Sequence, residues 1–100
     1  MAHFVVAPEA EQDVFQIWLY LLREAGRETA DRIEGEIIEA FSGLAGMPVK
    51  GHRRFDLTNH NVLFYSVYQY MVVYRSRTPL EIVAVLHGKR NVKRILKERL

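Results

Sequence analysis

Apolar positions along the chain change period once, near its middle. Ala10, Val14, Ile17, Trp18, Leu21 and Leu22 fall at the 3-4-3 spacing of a helix face, and Phe15 with Leu19 widen that arc beyond what one core contact needs. Ala30, Ile33, Ile37, Phe41 and Leu44 repeat the helical spacing on a narrower stripe, with Asp31, Glu34, Glu36 and Glu39 on the solvated side and Glu28/Arg32 as a favourable i,i+4 pair. Pro8 suits a first helical position, and Glu9, Glu11 and Asp13 follow it where the helix dipole favours anions. Ala7 stands at the expected cap and offers no side-chain oxygen, so this helix end depends on its acidic residues. Gly26 divides the two helical segments, and so short a connection makes them an antiparallel hairpin.

Beyond Gly46, Pro48 and Gly51 the spacing no longer fits a helix. Residues 53–57, 62–68, 70–75 and 80–86 are strand-like runs dominated by Val, Ile, Tyr and Phe, separated by Asn59-His60-Asn61 and by residues 76–79. A short strand over residues 3–7 precedes the first helix, and a short helix ends the chain, with Val92, Ile95 and Leu96 on one face. The expected fold is α+β, in the order β-α-α-β-β-β-β-α: an N-terminal strand, an antiparallel helical hairpin packed on an antiparallel sheet, and a basic C-terminal helix. At 100 residues and 49% hydrophobic, the chain suits a single domain over residues 1–100.

Charge refines this picture. Residues 1–50 carry four cations and nine acids, residues 51–100 ten cations and three acids, so a net charge of +2 conceals a strong polarity. The segment 89–100 alone holds Lys89, Arg90, Lys93, Arg94, Lys97 and Arg99 against Glu98. Lys89 and Arg90 fall near the positive end of the expected helix, and Lys89/Lys93, Lys93/Lys97 and Arg90/Arg94 are like-charged at i,i+4, placements that cost stability unless a partner uses them. An anionic partner is therefore expected there, with a merely solvated face as the alternative.

Candidate chemistry is sparse. Without cysteine there are no disulfides, thiolate nucleophiles or Cys-type zinc sites, and His3, His52 and His60 are too scattered for metal-ligand spacing, so no metal and no cofactor is expected. Residues 1–8 lack signal-peptide character and no run of about 18 apolar residues occurs, which points to a cytoplasmic protein with no membrane partner. No Ser/His/Asp arrangement, phosphate-binding glycine loop or carboxylate pair in the basic half supports a conventional hydrolase or nucleotide-binding reading. His87, at a strand end before Gly88, is either a proton-transfer group or a histidine bonded to local backbone that fixes the turn. Arg53, Arg54, Arg75 and Arg77 would make a basic groove if they converged with the terminal cations; isolated, they are edge-strand charges that discourage aggregation. Trp18, Tyr65, Tyr68, Tyr70 and Tyr74 are either stacking platforms or, more commonly for aromatics of this kind, core and cross-strand residues.

The succession Pro8-Glu9-Ala10, Asp13-Val14, Ile17-Trp18, Tyr20, Gly26, Ala30, Leu44, Pro48, Gly51, then Tyr70-Met71-Val72-Val73-Tyr74-Arg75 and Glu81-Ile82-Val83 through Val85-Leu86-His87-Gly88-Lys89-Arg90 resembles the RelE/ParE superfamily of toxins from type II toxin–antitoxin modules. The closing strand, its Leu-His and the downstream arginine look most like the ParE branch. The resemblance implies a toxin neutralised by a ParD-like antitoxin that itself binds operator DNA. It also implies one of two activities: inhibition of DNA gyrase, as in ParE, or ribosome-dependent cleavage of mRNA, as in RelE.

Between Phe55 and Tyr74 the chain has no lysine or arginine, and Phe64, Ser66 and Met71 stand where RelE-like chains often carry arginine. Phosphodiester cleavage needs such charge, so the gyrase-directed, non-enzymatic reading is favoured. On that reading the target-binding residues are His87, Lys89, Arg90, Lys93 and Arg94, and DNA is met only through the antitoxin or gyrase. A ribonuclease would instead draw on His87, Arg53, Arg54 and Arg75. Phe15, Trp18 and Leu19 are the expected antitoxin anchors, with the basic half receiving acidic residues of the antitoxin tail.

Overall fold

The computed structural model describes residues 3–100. The expectation about a leader rests partly on Met1 and Ala2, outside the described residues. The elements run β1 (Phe4–Val6), α1 (Pro8–Ala25), α2 (Arg27–Gly46), a 3-10 turn (Pro48–Lys50), β2 (Leu63–Val67), β3 (Tyr70–Arg75), β4 (Leu80–His87) and α3 (Val92–Arg99). This is the expected α+β arrangement with one strand fewer; α1 and α2 lie within about a residue of the predicted helices, whereas α3 begins at Val92 and not at Lys89. Gly26 separates α1 from α2 at φ 91°, a left-handed conformation that glycine adopts without Cβ strain.

β2, β3 and β4 form an antiparallel meander, and β1 joins it parallel to β4, so the sheet is mixed with order β1-β4-β3-β2. The hairpin packs on one face, where Val14, Ile33, Ile37, Phe41 and Leu44 meet Tyr70, Val72, Tyr74, Ile82 and Val85. α3 covers the other, where Val92 and Leu96 meet Val62, Phe64, Val73, Ala84 and Leu86. With both faces covered, β4 is buried at every position from Leu80 to Leu86 except Glu81, which explains its nearly continuous apolar sequence.

One expected strand is absent. Residues 53–57 form a turn-rich loop with a single bridge beside it, His52 to Phe64. Their side chains explain the difference: Arg54 closes on Asp56 and Arg53 lies over the Phe55 ring, so local contacts take groups a strand would project to opposite sides. Of the i,i+4 pairs on α2, the ones formed are Arg27–Asp31 and Arg32–Glu36 rather than Glu28/Arg32.

Candidate functional site

β4 is longer than its neighbour β1, which pairs only with Leu80, Glu81 and Ile82. Past Ile82, the backbone groups of β4 that face away from β3 therefore have no strand partner on that side. α1 supplies one. Asp13, only 7% exposed, accepts the Val85 N–H at 2.9 Å through Oδ2. The same carboxylate accepts both terminal nitrogens of Arg99, at 2.6 and 2.8 Å, in a bidentate pair that reaches round the sheet edge from α3. Hydrogen bonding to Asp13 is the main reason that the Arg99 guanidinium holds its proton even more firmly than usual. Three donors thus converge on one buried carboxylate and tie α1, β4 and α3 together.

Beside this clasp lies a cleft of about 440 Å³ lined by Gln12, Asp13, Gln16, Ile17, Tyr20, Tyr70, Val85, His87, Arg90 and Arg99. Gln12, Gln16 and Tyr20 recur every four residues and line one wall from α1. Tyr70 and His87 face each other across β3 and β4 as a registered pair, their rings edge to face at 5.4 Å. Burial, with Tyr20 nearby, pushes the Tyr70 phenol above its ordinary pKa, so it stays a neutral hydroxyl. His87 Nδ1 accepts the Lys89 N–H at 3.0 Å, and Gly88 N–H bonds the Gln69 carbonyl at 2.8 Å. The histidine therefore does fix the local turn. Its ring also lines the cleft, and with Nδ1 accepting, a neutral ring carries its proton on Nε2.

The basic end is organised differently from an uninterrupted basic helix. Asn91 caps α3, its side chain accepting the Arg94 N–H, so Lys89 and Arg90 belong to the preceding turn. Of the like-charged i,i+4 pairs, only Lys93/Lys97 lies within the helix. Arg94 pairs with Glu98 at 3.8 Å, and Arg99 turns inward to Asp13. Among the described residues, the side chains of Lys89, Arg90, Lys93 and Lys97 form no ion pair.

Arg53, Arg54, Arg75 and Arg77 do not all gather. Arg53, Arg75 and Arg77 line one hollow with Asn61, where Arg53 donates to Asn61 and Arg75 and Arg77 share Glu81. Arg54 lies elsewhere, lining a cleft of about 410 Å³ with Arg90 and Lys93 and held by Asp56 at 2.8 and 2.9 Å. His87 lines neither hollow. Among the described residues no group of histidines and acids has the arrangement of a metal site, and no helix is long and apolar enough to cross a membrane.

A second surface is the outer seam of the hairpin. Phe15, 49% exposed, stacks on Trp18 at 6.4 Å, and Trp18 Nε1 donates to Asp31 on α2 at 2.8 Å. Next to them a small, mostly apolar hollow is lined by Phe4, Val6, Val14, Phe41 and the half-exposed Ile38, with Glu11. Leu19 is half-buried. Tyr70 and Tyr74 are core residues; Tyr65 lies under Lys50, and Tyr68 straps the β2–β3 turn to Glu36 and Arg32 of α2.

Sequence reasoning placed His87 and Arg90 together but missed Asp13 and Arg99. The signal was present. Asp13 interrupts the apolar stripe of α1 between Ala10, Val14 and Ile17, and Arg99 continues the Val92–Leu96 face of α3; an acid and a cation each inside an apolar stripe imply a buried pair.

A structure described as "Chromosomal ParDE TA system from P. aeruginosa" contains a chain that superposes with a TM-score of 0.73 at 17% identity, covering 87% of this chain and 96% of that one. No curated protein matches the sequence at a significant level. The family model for the ParE toxin of the type II toxin–antitoxin system parDE matches residues 4–92, and the chain belongs to that family.

Proposed function

We propose that this ParE-family toxin arrests its host by binding DNA gyrase in the cytoplasm, and that a ParD-like antitoxin holds it inactive. The observation that carries the non-enzymatic reading is the dispersal of its charges. Cleavage of a phosphodiester needs a general base, a general acid and cations around one phosphate. Here Arg53 and Arg75 line one hollow and Arg54 another, and His87 lines neither. Lys89, Arg90 and Lys93, which form no ion pair among the described residues, instead make an exposed basic ridge at the β4–α3 junction, suited to a protein surface or to the DNA that gyrase holds.

Purified toxin is expected to block supercoiling by gyrase and to accumulate cleaved DNA. Arg90→Glu is expected to weaken this at least about tenfold more than Arg77→Glu does, because Arg90 has no ion-pair partner among the described residues whereas Arg77 is bound to Glu81. Uninhibited gyrase at saturating toxin refutes the proposal. The cleft shared by Arg54, Arg90 and Lys93 favours a second reading, ribosome-dependent mRNA cleavage, which predicts new 5′ ends on translated message.

A further inference from the structure

Arg53, Arg75 and Arg77 gather around a hollow of about 480 Å³ where β3 ends, together with Asn61, Leu63 and Ser76. Discouraging sheet-to-sheet aggregation does not account for Arg75, because β3 lies inside the sheet and is no edge strand. One carboxylate serves the group. Arg75 Nε and Arg77 Nη2 both donate to Glu81 Oε1, at 3.1 and 2.5 Å, so three guanidiniums stand against a single acid and two positive charges remain. Other side-chain acceptors are few. The Asn61 amide oxygen already takes Arg53 Nη1 at 3.0 Å, which leaves the Ser76 hydroxyl and the second Glu81 oxygen. Both terminal amino groups of Arg75 and further N–H groups of Arg53 and Arg77 outnumber them. The side chains of Arg75 and Glu81 are only 32% and 24% exposed, so water relieves the surplus charge in part.

These guanidiniums are also held in place, Arg75 and Arg77 by Glu81 and Arg53 by Asn61 and by the Phe55 ring 4.6 Å below it. A planar guanidinium so fixed is matched to the paired oxygens of a phosphate or carboxylate. Charge and oxygen count choose between them. A phosphate monoester, close to doubly charged at neutral pH, brings three oxygens to the three arginines and neutralises both surplus charges. A carboxylate or a mid-chain phosphodiester brings two oxygens and one charge. Phe55, joined to the hollow through Arg53, is 67% exposed, and an open aromatic ring beside a cation suits the stacking of a nucleobase. We propose that this hollow binds a nucleotide by a terminal phosphate monoester, with the phosphate among Arg53, Arg75 and Arg77 and the base against Phe55. A phosphorylated protein segment supplies the phosphate and gives Phe55 no flat partner. A free mononucleotide and the phosphorylated end of a strand share the required chemistry. Glu81 lies near the start of β4 and His87 at its far end, so the inference stands apart from the basic ridge, from the toxin's target and from the antitoxin.

The test follows the arginine Nε–H signals of the full chain by NMR during titration with thymidine 5′-monophosphate. Saturable shifts are expected at Arg53, Arg75 and Arg77. The methyl ester of the same phosphate, which carries one charge less, is expected to bind about tenfold more weakly, the scale of one charge-assisted contact. Deoxyribose 5-phosphate, lacking the base, should lose about fivefold. Arg77→Gln lowers affinity for the monophosphate about tenfold. Lys97→Gln, which alters net charge equally on an α3 position outside the hollow, leaves it unchanged. Phe55→Ser abolishes the preference for the nucleotide over deoxyribose phosphate and keeps the preference for monoester over methyl ester. A 5′-phosphorylated tetrathymidylate that binds more tightly than the mononucleotide identifies a strand end as the source; a mononucleotide that binds at least as well identifies the free form. Equal affinity for monoester and methyl ester, equal losses in Arg77→Gln and Lys97→Gln, a phosphoserine peptide that binds as tightly as the nucleotide, or no saturation at millimolar nucleotide would each overturn the proposal.

Discussion

Gly51 meets the Tyr74 ring at a distance no side chain allows. A Cβ there would overlap the Tyr74 hydroxyl and lie 2.9 Å from the Phe64 carbonyl oxygen. The close approach serves a buried polar group: the Gly51 N–H donates to the Tyr74 hydroxyl at 2.9 Å, and that hydroxyl donates to the Pro48 carbonyl. Burial raises the Tyr74 pKa, so the phenol keeps its proton and can make both bonds. Tyr74 thereby fastens the loop after α2 to the centre of the sheet. Gly51→Ala is expected to lower stability by about 1–3 kcal/mol through overpacking against a backbone atom that cannot rotate away. Gly35 is the contrasting case. It lies in the exposed middle of α2 with open space around it, and Gly35→Ala is expected to raise stability by about 0.5–1 kcal/mol. Urea unfolding of the two variants, read by the midpoint at constant slope, checks both signs.

At the scale of elements, what the sequence discloses depends on how local the cause is. α1 and α2 are legible because each carries its own apolar period and Gly26 marks the junction. β2 to β4 are legible as runs, and their antiparallel pairing follows from short turns. The parallel pairing of β1 with β4 is not, because it joins Phe4 to Leu80 across most of the chain and no local pattern encodes a partner. Residues 53–57 mislead for the opposite reason: their composition suits a strand, but Arg53–Phe55 and Arg54–Asp56 contacts satisfy the side chains within a loop.

The site was legible in the same partial way. His87 and Arg90 are four residues or fewer apart and share the cleft; where Arg53 and Arg54 end up depends on the loop after Gly51, which takes Arg53 to the hollow of Arg75 and Arg54 to a different cleft. The Asp13–Arg99 clasp is the element-scale contact with most at stake, since it closes the β4 edge and anchors α3. Arg99→Ala leaves the Asp13 charge buried and is expected to cost about 3 kcal/mol, whereas Asp13→Ala leaves a partly exposed Arg99 that can turn to solvent and is expected to cost less. In the double variant the loss should fall short of additive by more than about 1 kcal/mol. Additive losses in chemical unfolding would show that the two residues act separately.

Over the whole molecule, the sheet separates two chemistries. The hairpin on one face carries the acids of α2 outward and an aromatic seam at Phe15 and Trp18, whereas α3 on the other face and the turn before it carry the exposed basic ridge. A partner of mixed character, apolar at one end and acidic at the other, can satisfy both only by wrapping around the sheet edge. Family membership supplies a reason for such a partner, an antitoxin that must hold the toxin without unfolding it. Its apolar contact is expected at Phe15, because a half-exposed ring stacked on a tryptophan that α2 already fixes through Asp31 offers contact area with little further ordering on binding. Phe15→Ser should therefore weaken antitoxin binding at least about tenfold while changing toxin stability little, the pattern of an interface anchor rather than a core residue. Val49→Ser is the fitting control: Val49 is 82% exposed in the turn after α2, outside the seam, so its loss should leave affinity unchanged. Titration calorimetry with the cognate antitoxin decides between them, and equal affinities for the two variants would remove the hairpin seam from the interface.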